Sequence, residues 1–249
     1  MKKKIVAIGG GENGRLLEDG TLAPYNTKLI DEEIVKLSNK QQPHFLFINH
    51  AMPSIEVQES YFQTMKKIYG EMFNCICMDL KTTELENENK VKEKIEWADI
   101  IYEGGGNTAY MIDLWRETRF DKLLYDAWNK GKVICGISAG AICWFNSGNS
   151  DSKVGLTSLD CLNWLDFYVT PHANGEGRIE SSIEHLKNKK IIGIILSDCC
   201  ALEIINNNYK IIKSEESAFA HIAFWKDNKF LKYEMQEFGN VDDLKKYLN

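Results

Sequence analysis

The sequence predicts an α/β fold: a mostly parallel β-sheet flanked by helices on both faces, with β-hairpins toward the carboxyl end. Three observations carry this. Short apolar runs alternate with helix-period segments through roughly the first 150 residues, as expected of strands joined by crossover helices. Glycine clusters follow three of those runs, at residues 9–11, 104–106 and 136–140, where open sheets gather their functional loops. Beyond residue 190 the pattern turns to alternation around Asn206-Asn207-Asn208 and Asp227-Asn228, which reads as hairpins.

In chain order, strands are predicted at residues 4–8, 45–49, 74–78, 99–102 and 132–137. Between them the hydrophobic period changes to that of a helix. Ser54 is placed to cap a helix through Tyr69 in which Ile55, Tyr61, Phe62, Met65 and Ile68 lie near one face, with Gly70 as its stop. Residues 86–98 are strongly charged, with Val91, Ile95 and Ala98 on one side, as on a solvated surface helix. Helices follow at 107–118 and 121–130, the second stopped by Gly131. The apolar stretch 141–145 reads as helix, 146–152 as a polar loop, 166–170 as a short strand, 178–189 as helix and 191–196 as a buried strand. Residues 241–248 form a closing helix. With no repeat, low-complexity tract or Pro-rich linker, residues 1–249 are read as a single domain.

At 249 residues the chain is long enough to bury a full core. Its net charge of −6 argues against a broad nucleic-acid footprint and points to small molecules or peptides as partners. The basic start Met1-Lys2-Lys3-Lys4 leads into an apolar run that breaks at Gly9, too short for a signal peptide. No stretch nears the roughly 20 apolar residues of a membrane span. A cytoplasmic protein without membrane partners is therefore expected. The seven cysteines are odd in number, and Cys135, Cys143, Cys199 and Cys200 sit in apolar runs, as reduced core thiols do. Cys75 and Cys77 are an isolated pair of thiols on a strand and are read as no metal clip, so no metal or organic cofactor is expected.

The chemistry-bearing motif is Gly136-Ile137-Ser138-Ala139-Gly140, between a strand-like and a helix-like run. Gly-x-Ser-x-Gly in that context is a nucleophile elbow, a tight turn that holds the serine oxygen above the sheet edge. A serine needs a base, and the base needs an orienting group. Of the five histidines, His172 lies in the polar, Gly-rich loop Thr170-Pro171-His172-Ala173-Asn174-Gly175-Glu176-Gly177, just past a strand. Two carboxylates compete for the third place: Asp198, beyond the buried strand 191–196, and Asp151, closer in sequence. Asp198 is preferred, because a parallel strand would bring it to the same edge as the elbow.

Gly104-Gly105-Gly106-Asn107-Thr108 ends a strand and opens a helix, so its amides, with that of Ala139, are suited to hold an oxyanion. Gly9-Gly10-Gly11-Glu12-Asn13-Gly14 also follows a strand, but segment 15–26 contains Gly20 and Pro24 instead of the helix a dinucleotide fingerprint requires. It is read as a loop bordering the site.

Taken together, Gly104-Gly105-Gly106-Asn107-Thr108, Gly136-Ile137-Ser138-Ala139-Gly140-Ala141 and Pro171-His172 resemble the peptidase E family of serine peptidases, which also contains cyanophycinases. The resemblance implies a fold similar to class I glutamine amidotransferases, Ser138 as the acylated nucleophile, His172 as its base and Asp198 as the orienting carboxylate, where peptidase E usually has glutamate. It further implies that Arg178, in Gly175-Glu176-Gly177-Arg178, binds the acidic side chain of a dipeptide with N-terminal aspartate. Glu103 stands where the family usually has an apolar residue; facing the pocket, it would repel such a substrate.

Two other readings remain open at the level of sequence. One is an α/β-hydrolase esterase or amidase using Ser138, Asp198 and His221 in that chain order. The other is a non-catalytic binding protein in which Ser138 only holds a ligand.

Overall fold

The computed structural model describes residues 1–15, 17 and 19–248. In chain order the elements are β1 (Lys4–Ile8), α1 (Lys28–Leu37), β2 (His44–Phe47), α2 (Ile55–Met65), β3 (Ile76–Asp79), α3 (Glu88–Trp97), β4 (Ile100–Glu103), α4 (Thr108–Thr118), α5 (Phe120–Asn129), β5 (Val133–Ile137) and α6 (Ala139–Ile142). The second half adds β6 (Phe145–Ser150), β7 (Thr157–Asp160), β8 (Leu165–Thr170), α7 (Arg178–Leu186), β9 (Gly193–Leu196), β10 (Cys200–Ile205), β11 (Asn208–Lys213), β12 (Ala220–Lys226), β13 (Lys229–Glu234), β14 (Phe238–Asn240) and α8 (Val241–Lys245).

These strands build two sheets. The first has eight strands in the order β14-β11-β10-β1-β5-β4-β2-β3; β1 to β5 run parallel, and β10, β11 and β14 extend the sheet antiparallel beyond β1. The second has six strands in the order β13-β12-β9-β8-β6-β7, with β6, β8 and β9 parallel and the β12–β13 hairpin antiparallel at one edge. Alternation of side chains gives the central strands of the first sheet two apolar faces. Val6, Ile8, Phe45 and Phe47 meet α1 and α2 on one side. Ile5, Ala7, Leu46 and Ile134 face a second core that takes in α3 to α6 and the near face of the second sheet, through Val169, Ile194 and Leu196. Helix α7 covers the far face of that sheet through Leu186, against Tyr168 and Ile195.

The expected α/β architecture is present, and three local expectations are corrected. The helix capped by Ser54, which accepts from the Val57 amide, runs as α-helix only to Met65 and widens into a π-type turn at Lys66–Met72. Gly70 lies inside that turn, close to the Cys77 sulfur, and does not stop it. The helix after the elbow is a single turn, because Trp144 and Phe145 are drawn into the core and Phe145 opens β6. Residues 146–152, expected as a polar loop, are largely the buried strand β6. Part of its polarity is met from outside the sheet: the Asn149 side-chain nitrogen donates to the Arg178 carbonyl and to Ser181 and Ser182 at the start of α7, while its Oδ1 is buried without a partner. In segment 15–26, of which Leu16 and Glu18 lie outside the described residues, no helix forms among the others.

That segment is tied down by one buried carboxylate. Asp31, near the start of α1, accepts hydrogen bonds from Tyr25 (3.0 Å), Thr27 (3.0 Å) and Tyr69 (2.7 Å). Burial raises its pKa to about 6, against the three hydroxyl donors that oppose the rise. An acid whose folded pKa is raised favours the fold while protonated and loses that advantage as pH rises from its unfolded value toward the folded one. Wild type is therefore expected to lose about 2 kcal/mol between pH 4 and 7 relative to an Asp31→Asn variant. Denaturant unfolding of both proteins across that range is the check.

Candidate active site

The elbow forms because Gly136 and Gly140 lack side chains: a Cβ on either would approach the Glu103 carbonyl oxygen to 2.5 or 2.3 Å. That closeness packs β5 and α6 against the end of β4 and leaves Ser138 at φ 57°, ψ −108°. A non-glycine residue held there stores about 1–3 kcal/mol of strain, which the surrounding packing must offset. Ser138 is partly exposed, while Ile137, Ala139 and Gly140 are buried.

His172 and Asp198 arrive from the other sheet. β8 ends at Thr170, and Pro171 leads to His172 at φ 51°. Asp198 lies in the crossing from β9, in the second sheet, to β10, in the first. It therefore reaches the site across the junction of the two sheets, where the sequence suggested a strand parallel to the elbow strand. The geometry joins the three residues in line: His172 Nε2 is 2.9 Å from Ser138 Oγ, and His172 Nδ1 is 2.6 Å from Asp198 Oδ1. Asp151 is elsewhere, its carboxylate on Arg178 at 2.6 Å. His221 packs on Phe219 with its buried Nδ1 unpartnered, so the Ser138, Asp198, His221 arrangement does not form.

Two residues essential to this geometry escaped the sequence reading of roles. Asn174 grips Asp198 twice: its Oδ1 accepts from the Asp198 amide (2.8 Å), and its Nδ2 donates to Oδ2 (3.0 Å). Gly10 lies under the His172–Asp198 pair, where a Cβ would come within 1.8 Å of Asp198 Oδ1 and 2.3 Å of His172 Nδ1. The missing side chain gives the short aspartate the close approach it needs. Consecutive carbonyls of the same segment hold all three parts. Ile8 accepts from the Ser138 amide (3.1 Å), Gly9 from the His172 amide (2.9 Å) and Gly10 from the Cys199 amide (2.9 Å). The signal for both residues was in the sequence, as glycines after a strand and an asparagine two residues past the histidine.

Partial burial opposes ionisation of Asp198, but its hydrogen bonds from His172 and Asn174 outweigh that and hold its carboxyl below the ordinary range. The His172 and Asp198 side chains are 32% and 35% exposed, so the pair is open to solvent on one side. The amides of Gly105 and Gly106 donate to no group among the described residues, and that of Ala139 lies in the first turn of α6, where helices leave amides unpaired. Gly105 faces the Ser138 side chain: a Cβ there would lie 3.4 Å from Ser138 Cβ. Asn107 is committed otherwise: it caps α4 by accepting from the Tyr110 amide (2.9 Å), and its own amide donates to Ala51 (2.8 Å). Glu103 does not face a pocket; it is fully buried, its carboxyl accepting from the amides of His50 and Ala51. Arg178 is 12% exposed, its guanidinium bonded to Asp151 and directed at the Asn149 carbonyl. Among the described residues no cluster suited to a metal ion is present.

The fit around Gly10 has a direct consequence. Gly10→Ala is expected to separate His172 from Asp198 while leaving the fold in place. The low-field proton resonance of a hydrogen-bonded imidazole N–H, present in wild type, should then be lost.

Comparison with known proteins agrees with this architecture. The model of Peptidase family S51 matches residues 16–212. The Bacillus subtilis protein named Uncharacterized peptidase YgaJ is 33% identical over 222 residues, 88% of this chain and 91% of that one. Peptidase E of Shewanella denitrificans is 23% identical over 201 residues, 76% of this chain and 83% of its own. The crystal structure of a peptidase from an acI-B1 Actinobacterium shares the fold with a TM-score of 0.71 at 18% identity, over 96% of this chain and 97% of that one. A putative peptidase E from Listeria monocytogenes superposes with a TM-score of 0.58 at 18% identity, over 95% and 100% of the two chains. With its family match spanning most of its length, the chain belongs to peptidase family S51.

Proposed function

We propose that this peptidase is a serine peptidase that hydrolyses small peptides, dipeptides among them, through an acyl-enzyme on Ser138. The observation that carries it is the unbroken line Ser138 Oγ, His172, Asp198, with contacts of 2.9 and 2.6 Å. His172 takes the serine proton as Oγ attacks the peptide carbonyl and returns it to the leaving amine. Asp198, ionised and fixed by Asn174, orients the imidazole so that Nε2 faces the serine. The tetrahedral oxygen is held by the amides of Gly105, Gly106 and Ala139, preorganised donors that gain strength as charge develops. Water then repeats the sequence on the ester. These steps need no metal or organic cofactor. The protein works in the cytoplasm; its seven free cysteines suit a reducing compartment, and among the described residues no helix is long and apolar enough to cross a membrane.

A second, narrower reading is selectivity for N-terminal aspartate, with Arg178 as the acid-binding residue. It is favoured by the place of Arg178, close enough to the His172 loop for its charge to act on Asp198. Since its guanidinium already carries Asp151, an acidic side chain must exchange with that carboxylate to bind.

Hydrolysis of Asp-Leu, Glu-Leu, Arg-Leu and Leu-Leu by wild type and variants tests both readings. Ser138→Ala is expected to lower turnover by about six powers of ten, and Asp198→Asn by about four; undiminished hydrolysis by Ser138→Ala would end the assignment. Because Asp198 is held ionised, its own protonation should contribute no limb to the kcat/KM profile above about pH 5.

A further inference from the structure

Among the described residues Glu103 is the one fully buried carboxyl group beside the elbow, and the hydrolytic steps do not use it. An acid in that position is costly unless its contacts require one. Those contacts lie in the turn after β2. Oε1 accepts from the Ala51 amide at 3.0 Å, and Oε2 from the His50 amide at 3.3 Å. The Ala51 amide has no other acceptor among the described residues. The turn is anchored from behind by the His50 ring, whose Nε2 donates to the Leu80 carbonyl (2.7 Å) while Nδ1 accepts from Trp115 Nε1 (2.9 Å). Burial lowers the His50 pKa to about 4, so the ring is neutral, as that pattern of one donor and one acceptor requires.

The same turn governs the loop opposite Ser138. The Ala51 carbonyl accepts from the Asn107 amide at 2.8 Å, and Gly106, at φ 143°, passes so close that a Cβ there would come within 2.5 Å of it. The Gly104 carbonyl accepts from the Gly140 amide of the elbow at 3.2 Å. Glu103 thus touches both sides of the oxyanion loop. Its backbone packs against Gly136 and Gly140, and its side chain fixes the turn on which Gly106 and Asn107 rest.

We infer that Glu103 is a positioning residue: its carboxyl group sets the distance between the Gly105-Gly106 amides and Ser138 by holding residues 50–51. It touches neither substrate nor Ser138, so its influence falls on the transition state, whose oxygen the loop receives, more than on substrate binding. Displacing preorganised donors by a fraction of an ångström lowers the rate without requiring a change in ground-state affinity. An apolar residue fills the space but leaves the Ala51 amide without an acceptor. Glutamine keeps one acceptor and turns its amide nitrogen toward a backbone N–H.

The inference rests on acylation of Ser138, so the experiment reads the two separately. Wild type, Glu103→Gln and Glu103→Leu are compared in peptide hydrolysis, in affinity for a peptide boronic acid that forms a tetrahedral adduct with a serine, and in thermal unfolding. The expected result for Glu103→Gln is a kcat lowered about tenfold, KM within twofold of wild type, boronate affinity weakened in proportion to kcat and unfolding little changed. Glu103→Leu should lose more of kcat and of boronate affinity, so that glutamine is a partial rescue. Unchanged kcat and boronate affinity in a folded Glu103→Gln would overturn the positioning role while leaving Ser138 in place. So would losses of kcat and KM that track unfolding alone. Wild type that neither turns over peptides nor binds the boronate would remove the serine mechanism, and the role of Glu103 with it.

Discussion

Everything at this site hangs from the end of β1. Three consecutive carbonyls, of Ile8, Gly9 and Gly10, accept the amides of Ser138, His172 and Cys199, the residue after Asp198. Three segments far apart in sequence, and drawn from two sheets, are thereby registered against one short stretch of extended backbone. Each arrives with a left-handed residue, Ser138, His172 or Cys199, at φ between 51° and 59°. Such conformations persist only where the surroundings over-determine them, and the carbonyl ledge supplies that determination. The ledge itself is a continuation of a strand buried on both sides, between β5 and β10. Core packing and the geometry that joins Ser138, His172 and Asp198 are therefore one constraint.

The second consequence concerns the orienting carboxylate. An aspartate is one methylene shorter than a glutamate, and His172 can be reached only if the backbone of residue 198 comes close. Glycine at position 10 opens that space, and Asn174 closes it from the other side by bonding both the amide and the carboxylate of Asp198. Because the crossing from β9 to β10 passes from one sheet to the other, the position of Asp198 reports how the two sheets dock. A change in docking would be felt at His172 before it disturbed either sheet.

Much of this was legible in the sequence, and the reasons differ by element. The strands of the first sheet announced themselves as short apolar runs with glycines at their ends, and the elbow and histidine loop as turn chemistry at those ends. Ser138, His172 and Asp198 were brought together as expected. Less legible was whatever depends on partners distant in sequence. β6 is polar, and only the acceptors at the start of α7 give the Asn149 side-chain nitrogen partners inside a sheet. The allocation of β6 to β9 to a second sheet follows from docking, which periodicity does not encode. Glu103, expected to repel an acidic substrate if it faced the pocket, instead partners backbone amides about fifty residues earlier in the chain. Arg178, which the resemblance implies binds a substrate's acidic side chain, already holds Asp151, a residue of the segment that read as a polar loop.

The most direct test of the central claim is to intercept the covalent intermediate. Wild type mixed with an activated amino-acyl ester, quenched in acid within the first turnover and digested, is predicted to carry one acyl group on the peptide containing Ser138, and the Ser138→Ala protein none. Turnover with Ser138 unmodified, or an acyl group on another side chain such as Cys199, would contradict the account.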